Sequence, residues 1–201
     1  MLDPFKDKAQ DFDAQPMMLD RAAAIGGAVV DSVPLSPATR VLDFGAGTGL
    51  ICEALAPHVG HIVAVDTSPS MLEKLAEKPA IAGKVSPLLR DITAEPLDER
   101  FDLIVSAMAM HHVQDTGGLL RTLAGHLVPG GRVALVDLDA EDGSFHPADM
   151  PGVFHAGFDR EALGDLMRDA GFEDLSFSTV YRMQKNERDY PVFLVTGRLA
   201  G

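Results

Sequence analysis

From residue 39 onward, short apolar runs alternate with stretches in which apolar residues return every three or four positions. The runs at 39–44, 61–66, 84–89, 101–106 and 131–137 predict strands. Several are apolar almost throughout, as strands covered on both faces are. The segments between them read as helices. Ser68 ahead of Pro69 predicts a cap with proline in the first turn, and Met71, Leu72 and Leu75 supply that helix's inward face. Leu119, Leu120, Leu123 and Leu127 repeat at helical spacing until Pro129-Gly130-Gly131 ends the element. Asp159 is expected to cap a helix turning Leu163, Leu166, Met167 and Ala170 inward and stopping at Gly171. This alternation predicts an α/β fold, doubly wound, with a mostly parallel sheet and helices on both faces.

Beyond residue 174 the pattern changes. Two β-rich runs, 175–181 and 190–196, are joined by the wholly polar stretch 184–189. No helix fits between them, so they are expected to pair as an antiparallel C-terminal hairpin, with one reversed strand near the sheet edge. Residues 1–35 stand outside the alternation and predict a helix from about Pro16 to Val33, packed on the sheet or over its mouth. The expected organisation is a single domain, residues 36–201, preceded by this helical segment.

Composition narrows the function classes. A chain of 201 residues with 46% hydrophobic and 23% charged residues suits one globular domain. A formal charge of −13, with no Lys/Arg stripe to offset it, argues against nucleic acid as a partner, because such binding rests on neutralising phosphates. The lone cysteine, Cys52, excludes an intrachain disulfide and a thiolate zinc cluster; it is expected to be a small buried apolar residue. The run from Met1 to Lys8 lacks the apolar core of a secretory signal, and no stretch approaches the roughly 20 apolar residues of a membrane helix. The expectation is a cytoplasmic location without membrane association, as a monomer or homodimer.

The chemistry concentrates in Val41-Leu42-Asp43-Phe44-Gly45-Ala46-Gly47-Thr48-Gly49-Leu50, where a buried strand runs into three alternate glycines and then a helix. Glycine serves where the backbone takes positive φ or meets a ligand closely, and the helix start offers free N–H groups. A nucleoside-triphosphate loop needs Lys-Ser or Lys-Thr after its last glycine, and Leu50-Ile51 stand there instead. A nicotinamide fingerprint needs a third glycine where Leu50 stands, so that match is imperfect.

The segment Asp43–Gly49 resembles the acidic, glycine-rich first motif of the class I S-adenosylmethionine-dependent methyltransferases of the small-molecule type. Further landmarks follow in order: Asp66 at the end of the second strand, Asp91 after the third, Phe101 to Ser106 as the fourth, and Pro129-Gly130-Gly131-Arg132 before the fifth. The closing hairpin suits that family's reversed seventh strand, so a seven-stranded, Rossmann-like sheet is implied. The run Phe5–Asp13 resembles the family's N-terminal segment that closes over the cofactor, with Phe12 as its final aromatic.

The resemblance implies S-adenosyl-L-methionine as cofactor and methyl transfer as the activity. It implies a cofactor site made of Asp43, Phe44, Gly45, Ala46, Gly47, Asp66, Thr67, Met71, Asp91, Ile92, Ser106, Met108 and His111. Within it Asp43 would meet the cofactor's ammonium, Asp66 the ribose hydroxyls and Asp91 the adenine. Met71 suits core packing better than cofactor contact, and Met108 suits either equally. His111 and His155 are the candidate proton acceptors, since histidine titrates near neutrality. The Pro/Gly-rich insertion carrying His146 and His155 is where the family builds its acceptor site, and the acceptor pocket is expected beside His111, His155 and Tyr181. His146, His155 and Asp149 match no metal-ligand spacing, so no metal is expected. The acidic residues Asp137, Asp139, Glu141 and Asp142 would favour an amine acceptor, but they read first as an exposed loop. The compact length favours a small-molecule acceptor. Two other readings stand beside this one: a non-catalytic S-adenosylmethionine-binding domain and an NAD-dependent oxidoreductase.

Overall fold

The computed structural model describes residues 6–147 and 150–201; Phe5 and Asp149 lie outside them. Seven strands, β1 (Arg40–Phe44), β2 (His61–Asp66), β3 (Val85–Leu89), β4 (Phe101–Ala107), β5 (Leu127–Leu138), β6 (Phe172–Lys185) and β7 (Arg188–Leu199), form one sheet in the order β3-β2-β1-β4-β5-β7-β6. All neighbours pair parallel except those of β7, which runs antiparallel to both β5 and β6. The reversed strand is thus one place in from the edge.

Among the described residues six α-helices accompany the sheet: α1 (Lys6–Ala9), α2 (Pro16–Ser32), α3 (Leu50–Leu55), α4 (Pro69–Ala76), α5 (Thr116–Gly125) and α6 (Arg160–Asp169). Alternate residues of one strand feed two cores. Val41, Ile62 and Ala64 pack toward α2, α3 and α4, whereas Leu42, Val63 and Val65 pack toward α5 and α6. That is why the strands read as continuous apolar runs. Polar caps set the helix starts as predicted: the Ser68 hydroxyl accepts from Met71 N at 3.2 Å and the Asp159 carboxylate from Ala162 N at 2.9 Å. Helix α2 lies tight on α3, since a Cβ on Gly26 would stand 2.3 Å from that of Ala54.

Three local expectations are corrected. The polar stretch 184–189 is not a loop. Gln184 pairs with Asp189 and Lys185 with Arg188, leaving a two-residue turn in which Asn186 and Glu187 both take positive φ (52° and 60°). Such a turn matches the twist of the paired strands, so the ladder continues to its tip regardless of side-chain polarity. Pro129-Gly130-Gly131 does not end a helix; it sits within β5, where the register against β4 shifts and Gly130 takes φ +75°. Leu166 is 39% exposed because the inward face of α6 passes through Leu163, Gly164 and Met167.

Candidate functional site

Strand order reverses between β1 and β4, and the carboxyl ends of the strands open there into a cleft of about 1080 Å³. In doubly wound sheets ligands bind at this position. The glycine loop after β1 is its floor. Gly45 N and Ala46 N both donate to Val65 O (2.9 and 3.1 Å), tying the loop to β2. Gly45 has φ +70°, and a Cβ there would lie 2.4 Å from that of Ala109, so both torsion and space require glycine. Nothing stands within 4 Å of the Cβ position of Gly47, which leaves the loop open to a ligand.

Asp66 closes the end of β2. One carboxylate oxygen accepts from Gly47 N and the other from Ser68 N, each at 2.8 Å. The group lines the cleft, and a carboxylate oxygen accepts from hydroxyl donors. Asp43 lies deeper, 1% exposed, at the cleft wall. Burial pushes its carboxyl up to about 7, the Cys52 thiol pulls it down, and Asp66 adds to the rise. Cys52 is therefore more than a packing residue: its Sγ donates to the Asp43 carboxylate at 3.1 Å, and burial raises the thiol well above its ordinary value. A buried carboxyl held, among the described residues, by a weak thiol donor suits a cationic ligand group.

Phe44, Ala46, Thr67, Met71, Asp91 and Met108 also line the cleft. Met71 is only 4% exposed, consistent with core and wall at once. Met108 adopts φ 58°, a left-handed conformation unusual for its type, while its N–H remains in the ladder to Val136 O at 2.8 Å. The Asp91 carboxylate accepts from Thr93 N and Oγ1 at 2.9 and 2.6 Å.

Four expectations are corrected by placement. Ile92 is fully buried in the core on the α5 and α6 side, so its side chain does not reach the cleft. Ser106 is 1% exposed and off the cleft wall, its hydroxyl without a partner among the described residues. His155 does not line the cleft. Its Nε2 meets Val113 O at 2.9 Å and Thr116 Oγ1 at 3.2 Å, fastening the insertion to the segment after β4. Tyr181 also stands off the wall, packed against the core near α2.

His111 is in the cleft, with a partner the sequence reading assigned to an exposed loop. Asp137 is fully buried in β5. Its carboxylate accepts from His111 Nδ1 at 2.7 Å, His111 N at 3.2 Å and Leu138 N at 2.8 Å. A carboxylate only accepts, so the neutral ring carries its hydrogen on Nδ1 and keeps the Nε2 lone pair. His112 and His146 line the cleft too, their rings centred 4.2 and 5.1 Å from that of His111. Asp139 pairs instead with Arg160 at 2.6 Å.

The N-terminal segment crosses the glycine loop. The carboxylate of Asp13 accepts from Thr48 Oγ1 at 2.6 Å and from Lys78 Nζ at 2.7 Å, while Asp11 and Phe12 line the cleft. Arg21, Met18, Met183 and Lys185 are wall residues that sequence reasoning missed. A cationic residue inside the stripe Met18, Ala22, Ile25, Val29 was the available signal for the first.

The family model of the methyltransferase domain matches residues 14–176. An uncharacterized methyltransferase of Schizosaccharomyces pombe is 32% identical over 153 residues, covering 67% of this chain and 53% of its own. The chain spans about half the length of the curated relatives it matches. Among solved structures, one from the complex between the Haloferax volcanii Trm112 methyltransferase activator and a methyltransferase superposes with a TM-score of 0.83 over 100% of both chains, at 19% identity. The N-methyltransferase NodS of Bradyrhizobium japonicum, in complex with S-adenosyl-L-homocysteine, gives a TM-score of 0.72 at 19% identity over 94% of this chain and 90% of its own. These two likenesses establish the seven-stranded fold. No helix among the described residues is long and apolar enough to cross a membrane.

Proposed function

The chain belongs to the class I S-adenosylmethionine-dependent methyltransferases, and on that premise we propose that it transfers the cofactor's methyl group to a small-molecule acceptor bound in the same cleft beside His111. One observation carries the reading: the glycine loop with Asp66 and the His111–Asp137 pair face a single cleft at the switch point of the sheet. A volume of about 1080 Å³ lies at the upper end of small-molecule sites, so it has room for a cofactor and a small second molecule.

The donor set fits the proposed cofactor. Gly47 leaves the backbone open, Asp66 offers its carboxylate to ribose hydroxyls, Asp91 stands beyond it for the adenine, and Asp43 offers a buried carboxylate to an ammonium. Bound there, the cofactor supplies a methyl group already activated on a sulfonium. The protein's task is then alignment of the acceptor atom opposite the departing sulfur. Holding two reactants in line supplies roughly 7–11 kcal/mol, against about 10² to 10⁴-fold from a general base. Positioning dominates. His111 Nε2, its ring fixed by Asp137, takes the acceptor's proton where the acceptor carries one. The strap made by Asp11, Phe12 and Asp13 shields the loop from water.

Titration calorimetry with S-adenosylmethionine, S-adenosylhomocysteine and NADH tests the reading. Binding of the first two in the low-micromolar to millimolar range is expected, and no heat from either would overturn it. NADH binding alone would favour the oxidoreductase, which Leu50 and the reversed β7 already disfavour. A methyl-transfer assay against an acceptor panel separates an enzyme from a non-catalytic cofactor-binding domain. Because the Haloferax volcanii neighbour was solved with an activator protein, co-purification with such a partner is the control if the isolated chain is silent.

A further inference from the structure

Charge is segregated along the cleft. Of the four acidic wall residues, Asp43, Asp66 and Asp91 stand at the ends of β1, β2 and β3, on one half of the sheet, and Asp11 lies on the strap that crosses the glycine loop. Arg90 is the one cation beside them. At the opposite half the wall residues are Arg21 on α2, Lys185 at the tip of β6, and His111, His112 and His146. The negative charge of the whole chain suggests a cationic acceptor; the half of the cleft away from the glycine loop's acids is locally the reverse.

Arg21 is the unusual member. Its guanidinium donates to the sulfurs of Met18 (3.1 Å) and Met183 (3.3 Å), and among the described residues it makes no ion pair with a carboxylate. Thioether sulfur is a weak acceptor, and a guanidinium has five N–H donors to satisfy. The acid that acts on it electrostatically, Asp137, is already engaged by His111 and two backbone amides. Burial lowers the affinity of this guanidinium for its proton, with Tyr181 and Asp137 acting in the opposite sense. Lys185 is likewise held by a carbonyl, that of Phe145, and by no carboxylate among the described residues. A largely buried cation with no direct carboxylate partner among the described residues is costly unless something anionic meets it. The planar fork of arginine fits the two oxygens of a carboxylate.

We propose that the methyl acceptor carries a carboxylate, and that the Arg21 guanidinium, with Lys185 at the rim, is the specificity-determining group that holds it next to His111. The inference rests on the cleft being a methyl-transfer site and adds the acceptor's class to it. A phosphate brings about two charges and would need both the guanidinium and the rim ammonium to neutralise it, whereas a monoanionic carboxylate is matched by the planar fork of Arg21 alone.

The test uses the full chain saturated with S-adenosylhomocysteine. A panel of small aliphatic and aromatic carboxylates is titrated by ligand-observed NMR beside the corresponding primary amides and amines. Carboxylates are expected to bind in preference to the amides, and Arg21→Met is expected to weaken them roughly tenfold or more while leaving S-adenosylhomocysteine binding unchanged. Arg21→Met should also raise the melting temperature, because methionine joins Met18 and Met183 in an apolar cluster where a cation had no carboxylate partner among the described residues. Arg21→Lys, which keeps the charge and loses the fork, should retain part of the carboxylate affinity. Preference for amides or amines, no carboxylate binding, or equal affinity in Arg21→Met overturns the proposal. A parallel loss of S-adenosylhomocysteine affinity in Arg21→Met also overturns it, by assigning the guanidinium to the cofactor's own carboxylate. If the wild-type chain does not bind S-adenosylhomocysteine, the methyltransferase reading fails first, which separates the two failures.

Discussion

Replacing Asp43 by asparagine keeps its shape and removes its titration, which exposes what burial of this carboxyl costs. In the folded chain burial raises the group from 3.8 to about 7, against the pull of Cys52 and with a further push from Asp66. A folded value above the unfolded one means that the native state holds a proton the unfolded chain gives up over that range. Stability contributed by the protonated form is therefore complete at low pH, falls as pH rises from about 4, and levels off above about 7. At about 1.4 kcal/mol per pH unit, ionised Asp43 costs the native state ~4 kcal/mol at its fullest. Urea unfolding near pH 5 and near pH 8 should then show the wild type losing ~2–3 kcal/mol relative to Asp43→Asn. Cofactor binding adds a second readout. An ammonium against Asp43 favours its ionised form, so S-adenosylhomocysteine should expel most of a proton just below neutrality, and its affinity should rise with pH up to about 7. Calorimetry in two buffers of different ionisation enthalpy measures that proton. Asp43→Asn should release none and bind more weakly. Identical pH profiles for the two proteins, with no proton released on binding to the wild type, would refute the reasoning.

Three further outcomes are expected. Asp66→Ala removes the acceptor for Gly47 N and Ser68 N as well as the proposed ribose contact; cofactor affinity should fall at least roughly tenfold at about 1.4 kcal/mol per decade, and unchanged affinity in a titration would remove the ribose role. Gly45→Ala places a methyl group 2.4 Å from that of Ala109 at φ +70°, so a stability loss of about 1–3 kcal/mol is expected in urea unfolding, with Ala109→Gly restoring the steric share but not the torsional one. Asp13→Ala releases the strap from Thr48 and Lys78; faster dissociation of S-adenosylhomocysteine in stopped flow is expected with little change in melting temperature, and an unchanged rate would deny the strap its covering role.

Much of the architecture was legible because local rules and the global fold agree. The five parallel strands, the Ser68 and Asp159 caps and the α2 span follow from periodicity and capping alone. The spacing from the glycine loop to Asp66 placed both on one half of the cleft, the half proposed for the cofactor. That half is built from consecutive residues at strand ends, so their order in the chain is their order in space. The other half was hidden. Asp137 read as one acid in an acidic stretch, yet β5 carries it into the interior beside His111, a residue 26 positions away. Arg21 meets Met183 across 162 positions, and the tip of the hairpin became a cleft wall because ladder hydrogen bonds ignore side-chain polarity. His155 failed as a candidate for the same reason, since its ring turns to Val113 O and Thr116 instead of the cleft. Sequence by itself determined the helices, the strands and the backbone bend that faces the proposed cofactor, because torsion preference and hydrophobic period are properties of neighbouring residues. Only the tertiary structure decided which charges share a cavity and which are shielded from it. Desolvation and charge pairing depend on distance through space, which the linear order of residues does not encode.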